Sequence, residues 1–289
     1  MCDQDTAADN DRYLSRRAFG AGVGAAGLMA MLPTPADARP LKSREVTVAM
    51  PDGSAEAYFV APDAGRHPGV LVWPDIGGLR PAFRKMADRL AASGYAVLTV
   101  NAFYRSARPP YTQPGEAPDA PAIRERAMEY RKLLTPDAAA GDARAFIDFL
   151  DAQGEVDTAR GIGTTGYCMG GPLVMQTAAA RADRVRAGAS FHGGGLATTA
   201  PDSPHLLIPQ MKAGFLIAVA ENDDGRTPEE KVRLRTAFDA AKLAAEIEVY
   251  PGTLHGWCPP DSRVYNEPQA ERAWARLLAL FERTLGAAA

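Results

Sequence analysis

Cysteine is scarce in this chain: three occur in 289 residues, at positions 2, 168 and 258, too few for a small fold stapled by disulfides. None has the Cys-x-x-Cys spacing that makes an attacking and a resolving thiol neighbours, which argues against a thiol oxidoreductase. No His, Cys, Asp or Glu cluster shows recognisable metal-ligand spacing, so no metal is expected. Neither sign of charge prevails: 32 Lys and Arg stand against 35 Asp and Glu. A formal charge of -3 offers neither a polybasic nucleic-acid surface nor an acidic interaction tail, and no nucleic-acid partner is expected.

What is present is enough apolar material for a large core, 46% of the residues, with 27 Gly and 23 Pro gathered mostly between periodic segments. The first 38 residues read differently from the rest. Arg16 and Arg17 precede an uncharged stretch over residues 18–35, and Ala36-Asp37-Ala38 follows. Paired arginines, an apolar segment and an Ala-x-Ala end are the parts of an export signal. The pattern resembles a bacterial twin-arginine signal, which implies transfer by the twin-arginine machinery to the periplasm; the alternatives are a cytoplasmic leader or an N-terminal membrane anchor. The apolar run is short for a membrane span, so the mature chain is not expected to cross one. Asp3, Asp5, Asp9 and Asp11 make the extreme N-terminus acidic, a departure from the usual signal. Cleavage after Ala38 leaves 251 residues; it removes five Asp and three Arg and brings the charge near -1.

Residues 45–50 and 55–61 are strand-like and flank Pro51-Asp52-Gly53-Ser54, a hairpin signal. From Gly69 the near-continuous apolar Gly-Val-Leu-Val-Trp suits a strand covered on both faces. A helix over 82–92 and a buried strand over 95–100 complete a βαβ unit. Prolines at 109, 110, 114 and 118 make 103–119 a loop. Helices follow over 122–133 and 137–150, separated by Thr135-Pro136, a cap and a first-turn proline. Further alternation predicts a strand ending near Tyr167, a helix over 169–181 and strands at 185–191, 215–220 and 246–250. Helices over 228–243 and 268–285 complete it. This is an α/β fold with a mostly parallel central sheet flanked by helices on both faces, in one domain over 39–289.

Between a predicted strand and a predicted helix lies Gly166-Tyr167-Cys168-Met169-Gly170-Gly171, a Gly-x-Cys-x-Gly nucleophile-elbow pattern with Cys in place of Ser. A thiol at a helix start meets the positive end of the dipole, which favours thiolate, and the Met169 amide would face the oxyanion formed on carbonyl attack. His255, in Pro251-Gly252-Thr253-Leu254-His255-Gly256-Trp257 after the last predicted strand, is placed to act as base. His192, after the 185–191 strand and before three glycines, reads as a lining residue in preference to a base. Asp223 or Asp224 can orient the imidazole. Asp75 follows the first central strand, beside the expected second oxyanion amide, that of Ile76; capping a turn is its bland alternative.

With these residues in view, the chain resembles the dienelactone hydrolase (carboxymethylenebutenolidase) family of α/β-hydrolases over roughly residues 45–285. The resemblance implies Cys168 as nucleophile, His255 as base and, through Glu221-Asn222-Asp223, Asp223 as acid. Where the family has a glutamate that helps to activate the thiol, this chain has Asp75, one methylene shorter. Asn101-Ala102-Phe103-Tyr104-Arg105 resembles the family's Asp-Leu-Tyr-x-Arg stretch, which implies Arg105 as a bidentate partner for a substrate carboxylate. Tyr104, Arg105, His192 and Trp257 are the expected substrate contacts. No metal or organic cofactor is implied.

The expected function is therefore carboxylic-ester hydrolysis, opening a small lactone or enol ester through a thioester on Cys168. The competing expectation is an exported, non-catalytic small-molecule-binding protein in which Cys168 and Cys258 form a disulfide once the signal, with Cys2, is removed. Expression in a host with the twin-arginine route is expected to yield a mature form beginning at Arg39, read by intact mass. Replacing both Arg16 and Arg17 by Lys is expected to retain the precursor in the cytoplasm; undiminished export of that variant would refute the arginine-pair reading.

Overall fold

A computed structural model describes residue 10, residues 39–111 and residues 121–286. The segment read as an export signal, apart from Asn10, and residues 112–120 of the Pro-rich loop lie outside the described residues. The opening hairpin pairs β1 (Leu41–Met50) with β2 (Gly53–Pro62) in a register that sets Met50 opposite Gly53. Pro51 and Asp52 form its turn, and Gly53 takes φ +134, a value open to glycine at little cost. Both strands run longer than the sequence suggests: the two-residue turn lets β2 begin at Gly53, and β1 starts at Leu41, where it pairs with Pro62.

The βα alternation then proceeds through β3 (Gly69–Trp73), α1 (Pro81–Ala92), β4 (Ala96–Val100), α2 (Pro121–Arg131), α3 (Pro136–Asp151) and β5 (Ile162–Tyr167). It continues with α4 (Gly170–Ala180), β6 (Val185–Phe191), a 3-10 turn (Pro204–Gln210), β7 (Gly214–Ala220), α5 (Glu221–Arg226), α6 (Pro228–Ala241), β8 (Ala245–Tyr250) and α7 (Glu267–Leu285). The eight strands lie in the order β1-β2-β4-β3-β5-β6-β7-β8. β1–β2 and β2–β4 are antiparallel and all other pairings are parallel. This is an α/β-hydrolase-like arrangement, a mixed, mostly parallel sheet between helices.

Strand β3 shows why a continuous apolar run was required. Leu71 and Trp73 point into the core shared with α3, α4 and α6, whereas Val70 and Val72 point into the core under α1 and α7. Trp73 donates its indole N–H to Thr177 Oγ1 at 3.0 Å and meets Phe146 edge-on, tying β3 to α4 and α3. The expected cap at Thr135 accepts from the Ala138 amide, with Pro136 in the first turn of α3. One element was not expected: Asp223 and Asp224 sit within the short helix α5, which begins directly after β7.

The tightest contact in the sheet's parallel half is at the β5–α4 turn. A Cβ at Gly166 would lie 2.2 Å from the Gly170 carbonyl oxygen, and one at Gly170 would lie 2.4 Å from that of Trp73. Strand, helix and neighbouring strand therefore approach through backbone alone. Gly166→Ala must force them apart, and a loss of about 2–3 kcal/mol is expected by urea unfolding, as for other overpacked sites. Unchanged stability would show that the turn relaxes freely.

Candidate active site

The sequence-predicted residues gather at the carboxyl edge of the parallel strands: Asp75 and Ile76 after β3, Cys168 after β5, His192 after β6, Asp223 after β7 and His255 after β8. In open α/β sheets this edge is where ligands bind, because the loops there splay around the strand ends. Cys168 occupies a left-handed backbone conformation, φ +53, and is 3% exposed. Such strain in a residue with a side chain persists only where surrounding structure enforces it, here the glycine contacts just described and the Cys168 amide donating to the Phe191 carbonyl at 3.0 Å.

His255 Nδ1 bonds Asp223 Oδ2 at 2.7 Å, both being largely buried. Asp224 is committed elsewhere, receiving the Lys231 ammonium at 2.6 Å on both oxygens. Of the two aspartates left open by the residues alone, Asp223 is thus the one that meets the imidazole. The base-bearing loop is held by groups that the sequence reading missed. Asn222 Oδ1 accepts from the His255 amide at 2.8 Å, and Glu221 Oε2 accepts from the Gly252 amide at 2.8 Å. Thr253 Oγ1 donates to the Tyr250 carbonyl at 2.7 Å. Asn10, near the N-terminus, donates to the His255 carbonyl at 2.9 Å. The contacts of Glu221, Asn222 and Asn10 join segments 31, 33 and 245 residues apart, so no local spacing marked them.

Asp75 is occupied on both oxygens. Oδ1 accepts from the Gly77 amide at 2.8 Å and from Arg80 Nη1 at 2.5 Å, and Oδ2 accepts from Arg80 Nη2 at 3.0 Å. Burial alone would raise the Asp75 pKa, but the charge and hydrogen bonds of Arg80, with the Gly77 amide, hold it below the ordinary carboxylate range. Arg80 also grips Asp261 through Nε at 2.7 Å and Nη2 at 3.0 Å. One guanidinium therefore joins the turn after β3 to the loop beyond His255. The amides of Gly77 and Gly78 are spent on Asp75, whereas among the described residues no hydrogen bond uses those of Ile76 or Met169.

Arg105 and Tyr104 lie in another network. Arg105 chelates the wholly buried Asp142 at 2.7 and 2.8 Å, Asp52 takes its Nε at 2.7 Å, and Tyr104 donates to Asp142 at 2.8 Å. Asn101, standing where the resemblance has an aspartate, joins this stretch by bonding Glu56, the Ala107 carbonyl and the Phe103 amide. A substrate carboxylate would have to displace the buried Asp142 or the exposed Asp52 to reach Arg105. Trp257 is fully buried, stacks on Tyr250 at 4.9 Å and meets the His192 ring edge-on. Two open clefts of about 380 and 390 Å³ flank the turn after His192; one reaches Met169, Leu173 and Gln176, the other Asp223.

The expected alternative of a Cys168–Cys258 disulfide is corrected by the structure. Cys258 is a free, buried thiol. It belongs to the core under α1 and α7, beside Tyr167, Phe191 and Trp274, whereas Cys168 belongs to the core on the opposite face. Three residues after His255, the chain has passed beneath the sheet edge. Burial pushes the Cys258 thiol well above its ordinary pKa, which keeps it protonated and unreactive. Among the described residues no group of three or more His, Cys, Asp or Glu is placed to hold a metal, and no helix is long and apolar enough to cross a membrane.

The family model for the dienelactone hydrolase family matches residues 55–285. A Methylorubrum extorquens protein is 28% identical over 251 residues, covering 86% of this chain and 83% of its own. The carboxymethylenebutenolidase of Rhodococcus opacus is 27% identical over 227 residues, covering 77% and 84%. Among solved structures, a dienelactone hydrolase-like promiscuous phosphotriesterase, P91, from metagenomic libraries superposes with a TM-score of 0.70. The match covers 86% of this chain and 100% of that one; at 22% identity it shows the shared fold.

The Asp75–Arg80 pair predicts a pH dependence. A carboxylate whose folded pKa is depressed contributes stability above its unfolded pKa of about 3.9, and that contribution is lost as pH falls through the folded value. Asp75→Asn is expected to cost about 2 kcal/mol at pH 7, in the range of charge-assisted hydrogen bonds. The gap to wild type should narrow below about pH 4, as followed by urea unfolding. A gap that does not change with pH would contradict the pairing.

Proposed function

The chain belongs to the dienelactone hydrolase family, and from that premise we propose that it is a cysteine-dependent hydrolase of small lactones or enol esters. Family membership supports a hydrolase of small esters or lactones. The observation that carries the finer reading is the Asp223–His255 pair, 2.7 Å long, at the same sheet edge as a cysteine on a left-handed elbow. We propose one hydrolase domain over 39–289, exported to the periplasm behind the 1–38 signal.

The structure holds Cys168 in a disulfide, so the proposed course begins after an external thiol has reduced it, with Cys168 as thiolate and its proton held by His255. Sulfur attacks the carbonyl carbon while the amides of Ile76 and Met169 receive the oxyanion. Collapse breaks the ester C–O bond; the enol or alcohol oxygen takes the proton from the His255 imidazolium, and a thioester remains. Water then loses a proton to His255 and attacks the thioester, and the C–S bond breaks to restore thiolate. Asp223 orients the imidazole and stabilises its cationic form in both halves. Thiolate is a better leaving group than a plain alkoxide, so an unactivated ester lets the first adduct revert. Enol esters and strained lactones, whose oxygen leaves readily, fit this nucleophile, and amides do not.

Arg105 has no part in this scheme, because its guanidinium is committed to Asp142 and Asp52. Asp75 contributes as a fixed anion; its pairing with Arg80 leaves the thiol proton to His255. Hydrolysis of a panel of small lactones and enol esters by the full-length chain, alongside Cys168→Ala, tests the reading. Turnover should fall by at least about a thousandfold in the variant, as when a nucleophile is removed from other hydrolases. Rapid quenching of the wild type should show an acyl adduct by intact mass. A loss of less than about tenfold would remove the covalent mechanism.

A further inference from the structure

His192 carries features that its sequence position did not explain. It ends β6 in a left-handed conformation, φ +41, and its side chain has no solvent exposure. Among the described residues, neither ring nitrogen has a hydrogen-bond partner. A neutral imidazole has one N–H to donate and one lone pair to offer, and burying both unmatched is costly. A phenyl ring of similar shape would fill the same space without that cost. An imidazole kept here against both backbone strain and desolvation points to a partner present during the reaction.

The neighbours indicate which partner. The ring packs edge-on to His255 with centroids 5.1 Å apart, and Tyr167 and Trp257 close the remaining sides at 6.1 and 6.4 Å. Asp75, with its Arg80 partner, and Asp223 are the other charged groups whose fields reach it. Burial and the nearby His255 push the His192 pKa down to about 3, so the ring stays neutral while His255 cycles. The Phe191 carbonyl, one bond before His192, accepts the Cys168 amide, so the two left-handed residues are adjacent across the β5–β6 pair. Asp75 accepts three hydrogen bonds, from Gly77 and twice from Arg80, and a carboxylate has about four acceptor positions. One remains, on Oδ2.

We propose that His192 is a positioning residue for the hydrolysis: a neutral imidazole that links the Asp75–Arg80 pair to the triad. It donates one ring N–H to the remaining position on Asp75, directly or through a water, and offers its other nitrogen on the side of His255, against whose ring it packs. The inference rests on the reading above, in which Cys168 and His255 do the chemistry. It gives the shorter carboxylate a route to the triad: Asp75 is clamped and acts through the ring beside it. No proton needs to leave His192, because a hydrogen bond at each nitrogen fixes the tautomer and the orientation of its neighbours.

The test uses the full-length chain with the lactone or enol ester it hydrolyses fastest. His192→Phe is expected to fold with a melting temperature at or above that of wild type, to lose at least tenfold in kcat, and to keep KM within about twofold. His192→Gln, which restores a neutral donor and acceptor, should recover at least threefold of that loss. Adding His192→Phe to Asp75→Asn should cost less than threefold more, because the two act as one unit. Retention of kcat within twofold in His192→Phe, or losses that simply multiply in the double variant, would overturn the proposal. Should the Phe variant fail to fold, the same cycle run with His192→Met decides by the same criteria. Wild-type turnover that survives Cys168→Ala overturns both this proposal and the underlying reading, as does its absence. Turnover abolished by Cys168→Ala but kept by His192→Phe overturns this proposal alone.

Discussion

The contact between Gly166 and Gly170, where a single methyl would come within 2.2 Å of a carbonyl oxygen, sets the geometry on which the mouth of the sheet depends. Because strand and helix touch through backbone, the residue between them is thrust into a left-handed turn at the sheet edge. That residue is Cys168, and its amide then reaches the Phe191 carbonyl. The next strand follows suit: a Cβ at Gly171 would lie 2.7 Å from the Gly193 Cα, so the two turns interlock and His192 is also driven left-handed. Backbone packing thus places Cys168 and His192 side by side before any side-chain interaction is considered.

On that frame the charged groups divide into pairs that hold loops and one pair that includes an imidazole at the sheet edge. Arg80 joins Asp75 to Asp261 and so fastens the turn carrying Ile76 to the loop beyond His255. Arg105 and Asp142 do the same for the turn after β4, and Lys231 with Asp224 for the short helix after β7. Each pair satisfies a buried or half-buried charge that would otherwise be costly. The Asp223–His255 pair differs in that its second member can change protonation state, the property required of a base. The same division sets Arg105 against Asp142 and Asp52 and sets Arg80 against Asp75 at the sheet edge.

Much of the architecture was legible from pattern. The apolar run at Gly69–Trp73 predicted a strand covered on both faces, and its residues do alternate between two cores. Val185–Phe191 was bounded without error, and Thr135-Pro136 marked the start of α3 because capping chemistry is local. Boundaries slipped where turns were shorter than their composition suggested, as at Pro51-Asp52, and where a helix began immediately after a strand, as at Glu221. At the site, the order Cys168, Asp223, His255 could be read because each residue follows a strand. Asp223 could not be separated from Asp224 on residues alone, since the choice depends on which carboxylate meets His255 and which meets Lys231.

The amino-acid sequence by itself determined the alternation of strands and helices, the elbow glycines and the residue types available at the sheet edge. These follow from short-range rules of periodicity, capping and backbone freedom. Only the tertiary structure decided which side chains are free to act. It paired Asp75 with Arg80 and Arg105 with Asp142, and it sent Cys258 to the opposite core from Cys168. It also buried His192 against His255 with both nitrogens unmatched among the described residues. The physical reason is that the strength and availability of a charge, a thiol or an imidazole depend on burial and on partners far away in the chain, and neither is encoded in local spacing.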